Sequence, residues 1–351
     1  MLERVDYPEQ PPQANEQDSP QTAQTPARAT TTSTKKGLYR EFCASEKTLP
    51  IYSRDWWLDA SAGEENWDVA LVENNGRVIA ALPYAIEKRL GFTLLTLPPF
   101  TKMLGPWIRE GSGKYAKRLA QQKDLMEALI DQLPRFDHYA QNWHYSQTNW
   151  LPFYWRGFKQ TTRYTYLLED LSDMDKVVAG FENSKRANIR KARERVEIVY
   201  DIPAREFYDN HCLTLAKKGA TIAYAWDDFK RIHDACYAHN AGKTIAAYDS
   251  SGNLHAALFV IWDEMSAYAQ ICTIAPDYLT HGAASLLNQE IIAYVADKTR
   301  TFDFEGSMIE SVERSFRQYG AIQKPYFAVT RTPSRLLKTL LFLKDLKAST
   351  A

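Results

Sequence analysis

The chain has 351 residues, 45% of them hydrophobic and 13% aromatic, enough to bury one large core or two domains of ordinary size. Lysine plus arginine and aspartate plus glutamate each number 43, so no overall field draws the chain to nucleic acid or to an anionic membrane, and a basic site must be local. Four cysteines (Cys43, Cys212, Cys236, Cys272) show no paired spacing, and neither a charged-then-apolar leader nor an apolar run long enough to span a bilayer is visible, so a reducing, cytoplasmic setting is expected.

Residues 1–36 are rich in Gln, Pro, Thr and Ala and nearly empty of large apolar residues, and they read as a disordered tail. Order is expected from about Leu49, where LPIYSRDWWLDAS brings the first clustered aromatics. An internal repeat then organises the chain: DVALVENNGRVIAAL (68–82) lies over TIAAYDSSGNLHAAL (244–258) without a gap. Each reads as an apolar strand, an acid (Glu73 or Asp249), a tight turn ending at Gly76 or Gly252, and a second apolar strand.

Behind each hairpin the order continues as strand, helix, strand, short helix, strand. In the first half this is FTLLTLPPF, QKDLMEALIDQL, FDHYAQNWH and the segment ending YWRGFKQTTRYTYLL. In the second it is MSAYAQICTIA, GAASLLNQEIIAYVADK, FDFEGS and SFRQYGAIQKPYFAVT. A helix between strands at those lengths implies a crossover, hence an α+β fold of two tandem domains, each with a mixed, partly parallel sheet flanked by helices. The expected boundaries are 37–160 and 161–331, the second with a helical insertion at about 172–240, followed by a C-terminal helix over 332–351.

Within the insertion, NSKRANIRKAR places Ile189, Ala192 and Val196 on one helical stripe and Arg186, Arg190 and Arg193 on the next. Arg314 and Arg317, three apart in SVERSFRQYG, could join Arg186 and Arg190 in binding acceptor or phosphate; a solvated helix face is the alternative for each. His233, Cys236 and His239 have metal-like types, but on a helix they climb about 9 Å and fan out too widely to converge on one ion, so no metal site is expected. The Leu-rich basic segment 334–347 is expected to pack on the domain, with peripheral membrane contact as the lesser reading. In TFDFEGS, Phe302 and Phe304 alternate with Asp303 and Glu305, so one face is core and the other is water or a site.

The duplicated half-domain, the NSKRANIRKAR helix and the closing FDFEGSMIESVERSFRQYGAIQKPYF together resemble the GCN5-related N-acetyltransferase (GNAT) superfamily, in its tandem FemAB-like and BioF2-like branch, over about residues 49–331. The resemblance implies transfer of an acyl or aminoacyl group to an amine, without DNA, metal or bound cofactor. Acyl-CoA is the expected co-substrate, aminoacyl-tRNA the alternative donor, and a small-molecule or envelope-precursor amine the acceptor. It also implies a donor-binding turn at His281, Gly282, Ala283, Ala284 and Ser285, where a helix N-terminus stabilises phosphate charge, although Leu279 stands where the family's turn has a polar residue. Glu305 and Asp303 become the catalytic candidates facing the amine; the alternative is that both carboxylates hold the following turn. A non-catalytic binding protein on a degenerate transferase fold is the rival class.

Overall fold

The computed structural model describes residues 34–349 apart from Ser307. The tail expected over 1–36 lies outside the described residues as far as residue 33. Helix α1 (Lys35–Ser45) already precedes Leu49, with the Thr34 hydroxyl accepting from the Gly37 amide at its start. Its Tyr39, Phe42 and Cys43 recur at three- and four-residue spacing and are buried, a stripe too short to stand out against the polar residues before it. Arg40 ties it to α2 (Asp55–Ala62) through Asp59 at 2.6 Å.

The first half continues with the hairpin β1 (Trp67–Asn74) and β2 (Arg77–Ala85), then β3 (Glu87–Arg89), β4 (Phe92–Leu95), β5 (Trp107–Ile108), α3 (Tyr115–Ile130), β6 (His138–Asn142), α4 (Leu151–Trp155) and β7 (Lys159–Leu168). The second half runs α5 (Met174–Ala179), α6 (Asn183–Arg193), β8 (Glu197–Tyr200), α7 (Ala204–Lys217), α8 (Trp226–Ala238), the hairpin β9 (Gly242–Tyr248) and β10 (Leu254–Trp262), and β11 (Ser266–Ile274). It closes with α9 (Ala283–Val295), β12 (Thr301–Asp303), α10 (Glu310–Arg317), β13 (Ile322–Arg331) and α11 (Arg335–Ser349). The stretch read as a helical insertion therefore also holds a strand, β8, at the sheet edge.

The fold is α+β with mixed sheets. β1, β2 and β5 form a small sheet, and the other ten strands form one sheet in the order β3-β4-β6-β13-β7-β12-β11-β10-β9-β8. Two parallel pairs, β4 with β6 and β11 with β12, mark the two crossovers. The halves do not close separate sheets, because they exchange their last strands. β7, which ends the first half, pairs with β12 of the second; β13, which ends the second, pairs with β6 of the first, and the two exchanged strands pair with each other.

On one face of the second-half sheet α1 and α2 join α7 and α8, burying Tyr39, Trp57, Phe207, Phe229 and Phe259 in one cluster. On the other face α6 and α9 bury Ile189, Leu286, Ile291, Phe302 and Phe304. Each such side chain contributes about 1.5–3 kcal/mol when fully buried. On α11, Leu336, Leu340, Phe342 and Leu343 are exposed, in contrast to the packed helix expected there. Among the described residues no helix is long and apolar enough to cross a membrane.

Candidate active site

β11 and β12 run in parallel register from Ser266 opposite Thr301 to Tyr268 opposite Asp303, and there the pairing stops while β11 continues to Ile274. On its other side β11 is irregular at the same level: Phe259 faces Ile271 but Ile261 faces Tyr268, so Ala269 and Gln270 together oppose Val260. Such a bulge bends its strand and leaves backbone groups unpaired. A wedge opens between β11 and the chain after Asp303, and its apex is the bulge.

Glu305 forms the wall facing that apex. Period-two alternation carries Phe302 and Phe304 into the core, but the strand ends at Asp303 and Glu305 takes φ +59°, a left-handed conformation costly for a residue with a Cβ. The turn is fixed from two sides. Asp303 Oδ1 accepts the Glu305 amide at 2.7 Å and the Thr165 hydroxyl of β7, and a Cβ on Gly306 would lie 2.1 Å from the Tyr164 carbonyl oxygen. Only glycine lets the turn lie this close to the exchanged strand. Asp303, fully buried, thus serves the turn as the alternative reading had it, and burial pushes its carboxyl up to about 7.

The Glu305 side chain is 5% exposed, and burial raises its carboxyl well above the usual range. Oε1 meets the hydroxyl of Tyr52, and Oε2 lies 3.5 Å from Lys102 Nζ with no hydrogen bond of its own. The Tyr52 oxygen is also 2.7 Å from Gln270 Oε1, while Gln270 Nε2 donates to the Phe100 carbonyl at 2.6 Å, which fixes the amide's orientation. Tyr52 has one proton and two oxygens to satisfy. If it donates to Gln270, the second contact requires a proton on Glu305, in keeping with the direction in which burial shifts that carboxyl. These contacts link Glu305, Tyr52, Gln270 and the Phe100 carbonyl in one chain.

Lys102 belongs to a loop held by both halves: from the first, Trp57 Nε1 donates to Thr101 Oγ1 at 2.9 Å and Asn142 Nδ2 to the Lys102 carbonyl at 3.1 Å, and from the second, Gln270 Nε2 donates to the Phe100 carbonyl. Its side chain is 47% exposed, and desolvation by the surrounding protein lowers its ammonium pKa. Glu305 and Lys102 border a cavity of about 200 Å³ with Asn142, Arg163, Tyr164 and Tyr326.

The donor-turn candidates lie at the start of α9. Gly282 caps the helix at φ +81° with no side chain satisfying the first amides, and a Cβ there would lie 2.5 Å from the Asn188 carbonyl oxygen of α6. Ala283 is buried, while Ala284 and Ser285 are partly exposed. His281 lies by the stacked rings of His255 and Tyr278, and Leu279 is 57% exposed.

The arginines do not form one cluster of free guanidinium groups. Arg186 donates to the Ala179 and Phe181 carbonyls at the end of α5, and Arg317 pairs with Glu313 at 3.1 Å. Arg190 and Arg314 are exposed, with no ion-pair partner among the described residues. The cation buried between α6 and α10 is instead Lys185, which donates to Ser315 at 3.2 Å, lies 4.4 Å from the Tyr319 ring centre, and is lowered to about 8 by desolvation. Cys236 is buried, and His239 stacks on Trp56.

Sequence reasoning missed Tyr52, Lys102, Arg163 and Gln270. Gln270 alone left a local trace, as a polar residue inside the apolar strand YAQICTI.

Residues 179–310 match the family model described as the acetyltransferase (GNAT) domain. Among solved structures the fold is similar to that of FemX, at TM-score 0.62 and 11% identity, covering 87% of this chain and 98% of that one. It is also similar to a conserved protein of unknown function from Bacteroides thetaiotaomicron VPI-5482, at TM-score 0.50 and 12% identity, covering 83% and 96%. No curated protein sequence matches the chain. The matched acetyltransferase (GNAT) domain spans α6 to β12 and holds the bulge and Glu305, and the fold similar to that of FemX extends over both halves.

Proposed function

We propose that the protein is an N-acyltransferase that moves an acyl group from acyl-CoA to an amine, with the reaction at the apex of the second-half wedge. The observation that carries this reading is the conjunction of the β11 bulge, the end of pairing at Asp303 and the buried Glu305 on the opposite wall. The uncapped amides of α9 favour the donor's phosphates at Gly282 to Ser285, and the wedge leads the acyl end toward the bulge. A backbone amide freed by the bulge would support the oxyanion that develops on the acyl carbonyl.

Glu305 handles the proton. Its carboxylate takes one proton from the incoming ammonium and leaves a neutral amine. The amine nitrogen bonds to the acyl carbon, the carbon–sulfur bond breaks, and the second amine proton goes to the departing sulfur. A carboxyl raised above its usual range suits this exchange better than an ordinary one, because its affinity for the proton is nearer that of the amine. The acceptor enters through the cavity beside Lys102 and belongs to the small amines or envelope precursors.

A second reading takes aminoacyl-tRNA as donor. It is favoured by Arg190, Lys191 and Arg195, exposed at the end of the helix that backs the donor turn. A thermal-shift titration with acetyl-CoA, a longer acyl-CoA and an aminoacyl-tRNA separates the two. Ligand at 100 times its dissociation constant stabilises by about 2.7 kcal/mol. We expect acyl-CoA to raise the melting temperature of the parent and not of Gly282→Ala, whose new Cβ collides with α6. A shift with aminoacyl-tRNA alone selects the second reading, and no shift with any donor supports a binding protein that has lost transfer.

A further inference from the structure

The cavity beside Glu305 has a charge arrangement that selects among amines. Its carboxylate wall carries the one acid, buried and with Oε2 lacking a hydrogen bond, and Lys102 Nζ stands 3.5 Å from that oxygen. A second cation, Arg163, lies on β7 directly across from Tyr326 of β13, and both residues line the same space. An ammonium ion that reaches Glu305 therefore arrives beside a like charge. A simple alkylamine pays that repulsion in full; a molecule with an anionic group close to its amine offsets it by meeting Lys102 and Arg163. The volume, about 200 Å³, admits only a small molecule or the end of a longer one.

We infer that the acceptor is a primary amine bearing a carboxylate or phosphate a few bonds away, with the amine on Glu305 and the anion between Lys102 and Arg163. This rests on the reading of Glu305 as the group that receives the amine. Guanidinium and ammonium donors suit either anion, so the two are separated by experiment. Arg163 comes from the exchanged strand and Lys102 from the first-half loop, so this specificity would be written largely outside the matched acetyltransferase domain.

The test is calorimetric titration of the full chain with 3-aminopropionate, phosphoethanolamine and n-propylamine. At least one anionic amine is expected to bind 10-fold or more tightly than propylamine, and Lys102→Met and Arg163→Leu are each expected to shrink that ratio. The anion whose binding suffers more identifies the preferred group. Equal binding of all three amines, a ratio unchanged in both variants, or no binding of any amine would overturn the inference. A CoA-release assay on the same amines keeps the two readings apart. A binding preference without acylation removes the transferase and leaves the pocket's ligand class standing; acylation of propylamine as readily as of the anionic amines does the reverse.

Discussion

The two crossovers of the duplicated fold end differently. In the first half, β4 and β6 pair in parallel only at Leu94 with His138 and Leu95 with Tyr139, but the space beyond is occupied: Leu104 bridges Trp143, its amide donates to the Asn142 carbonyl at 2.8 Å, and Trp143 is fully buried. Gly105 lies so close that a Cβ there would be 2.7 Å from the Trp143 ring. In the second half, among the described residues, no backbone bridge continues the parallel pairing after Asp303; the buried Tyr52 hydroxyl links Gln270 of β11 to the Glu305 carboxyl instead. Duplication gave one architecture two fates, a plugged wedge that props a loop and an open one bridged by side chains. The plug also serves the open side, since the segment that fills the first wedge carries Lys102 at its start.

The largest effect that could break this comparison is in turnover. Glu305→Gln keeps the shape of the open wedge and removes its base, so kcat is expected to fall about 10²- to 10⁴-fold with unchanged circular dichroism. Unchanged turnover would remove Glu305 from the chemistry. Next comes the plug: Trp143→Ala should lower stability by about 3–5 kcal/mol in chemical denaturation, whereas a mild loss would show that the first wedge is not packed as described.

A smaller effect separates Asp303 from Glu305. The folded state raises the Asp303 carboxyl to about 7 from the ordinary 3.8, so its contribution to stability is complete below about pH 4 and is lost as pH rises through 7. The melting temperature of the parent should carry this decline and that of Asp303→Asn should not, leaving a flatter profile from pH 4 to 8; parallel profiles would contradict the burial of an unpaired Oδ2. The smallest expected change is in Tyr52→Phe, which removes one buried hydroxyl at a cost of about 1 kcal/mol. A loss of turnover beyond that attributable to unfolding would show that the first half helps to set the proton on Glu305.

The repeated hairpins were legible because each carries a complete local signal, alternating strands around a polar turn. The closing strand, helix and strand were legible for the same reason. The exchange of β7 and β13 was not, since either strand satisfies its own alternation whichever half it joins, and only tertiary packing decides. Glu305 could be named from its place after Phe304, but its left-handed turn could not, because the cause is the approach of Tyr164 from another element. Tyr52 lies 253 residues from Glu305 in the chain, and no spacing rule reaches that far. Arg186 shows the converse: its residue type suggested a phosphate, and its contacts with the nearby end of α5 could not be read from the sequence.

The strand exchange also constrains how the protein is made. During synthesis the first half emerges with β6 lacking its neighbour, and that neighbour, β13, leaves the ribosome only after nearly all of the second half. Until then β6 presents a bare sheet edge, the kind of surface that pairs with other chains. β7 likewise waits for β12, so neither half can finish alone. Cutting the chain between the halves would yield two fragments with complementary missing strands, which should recover their structure only when mixed.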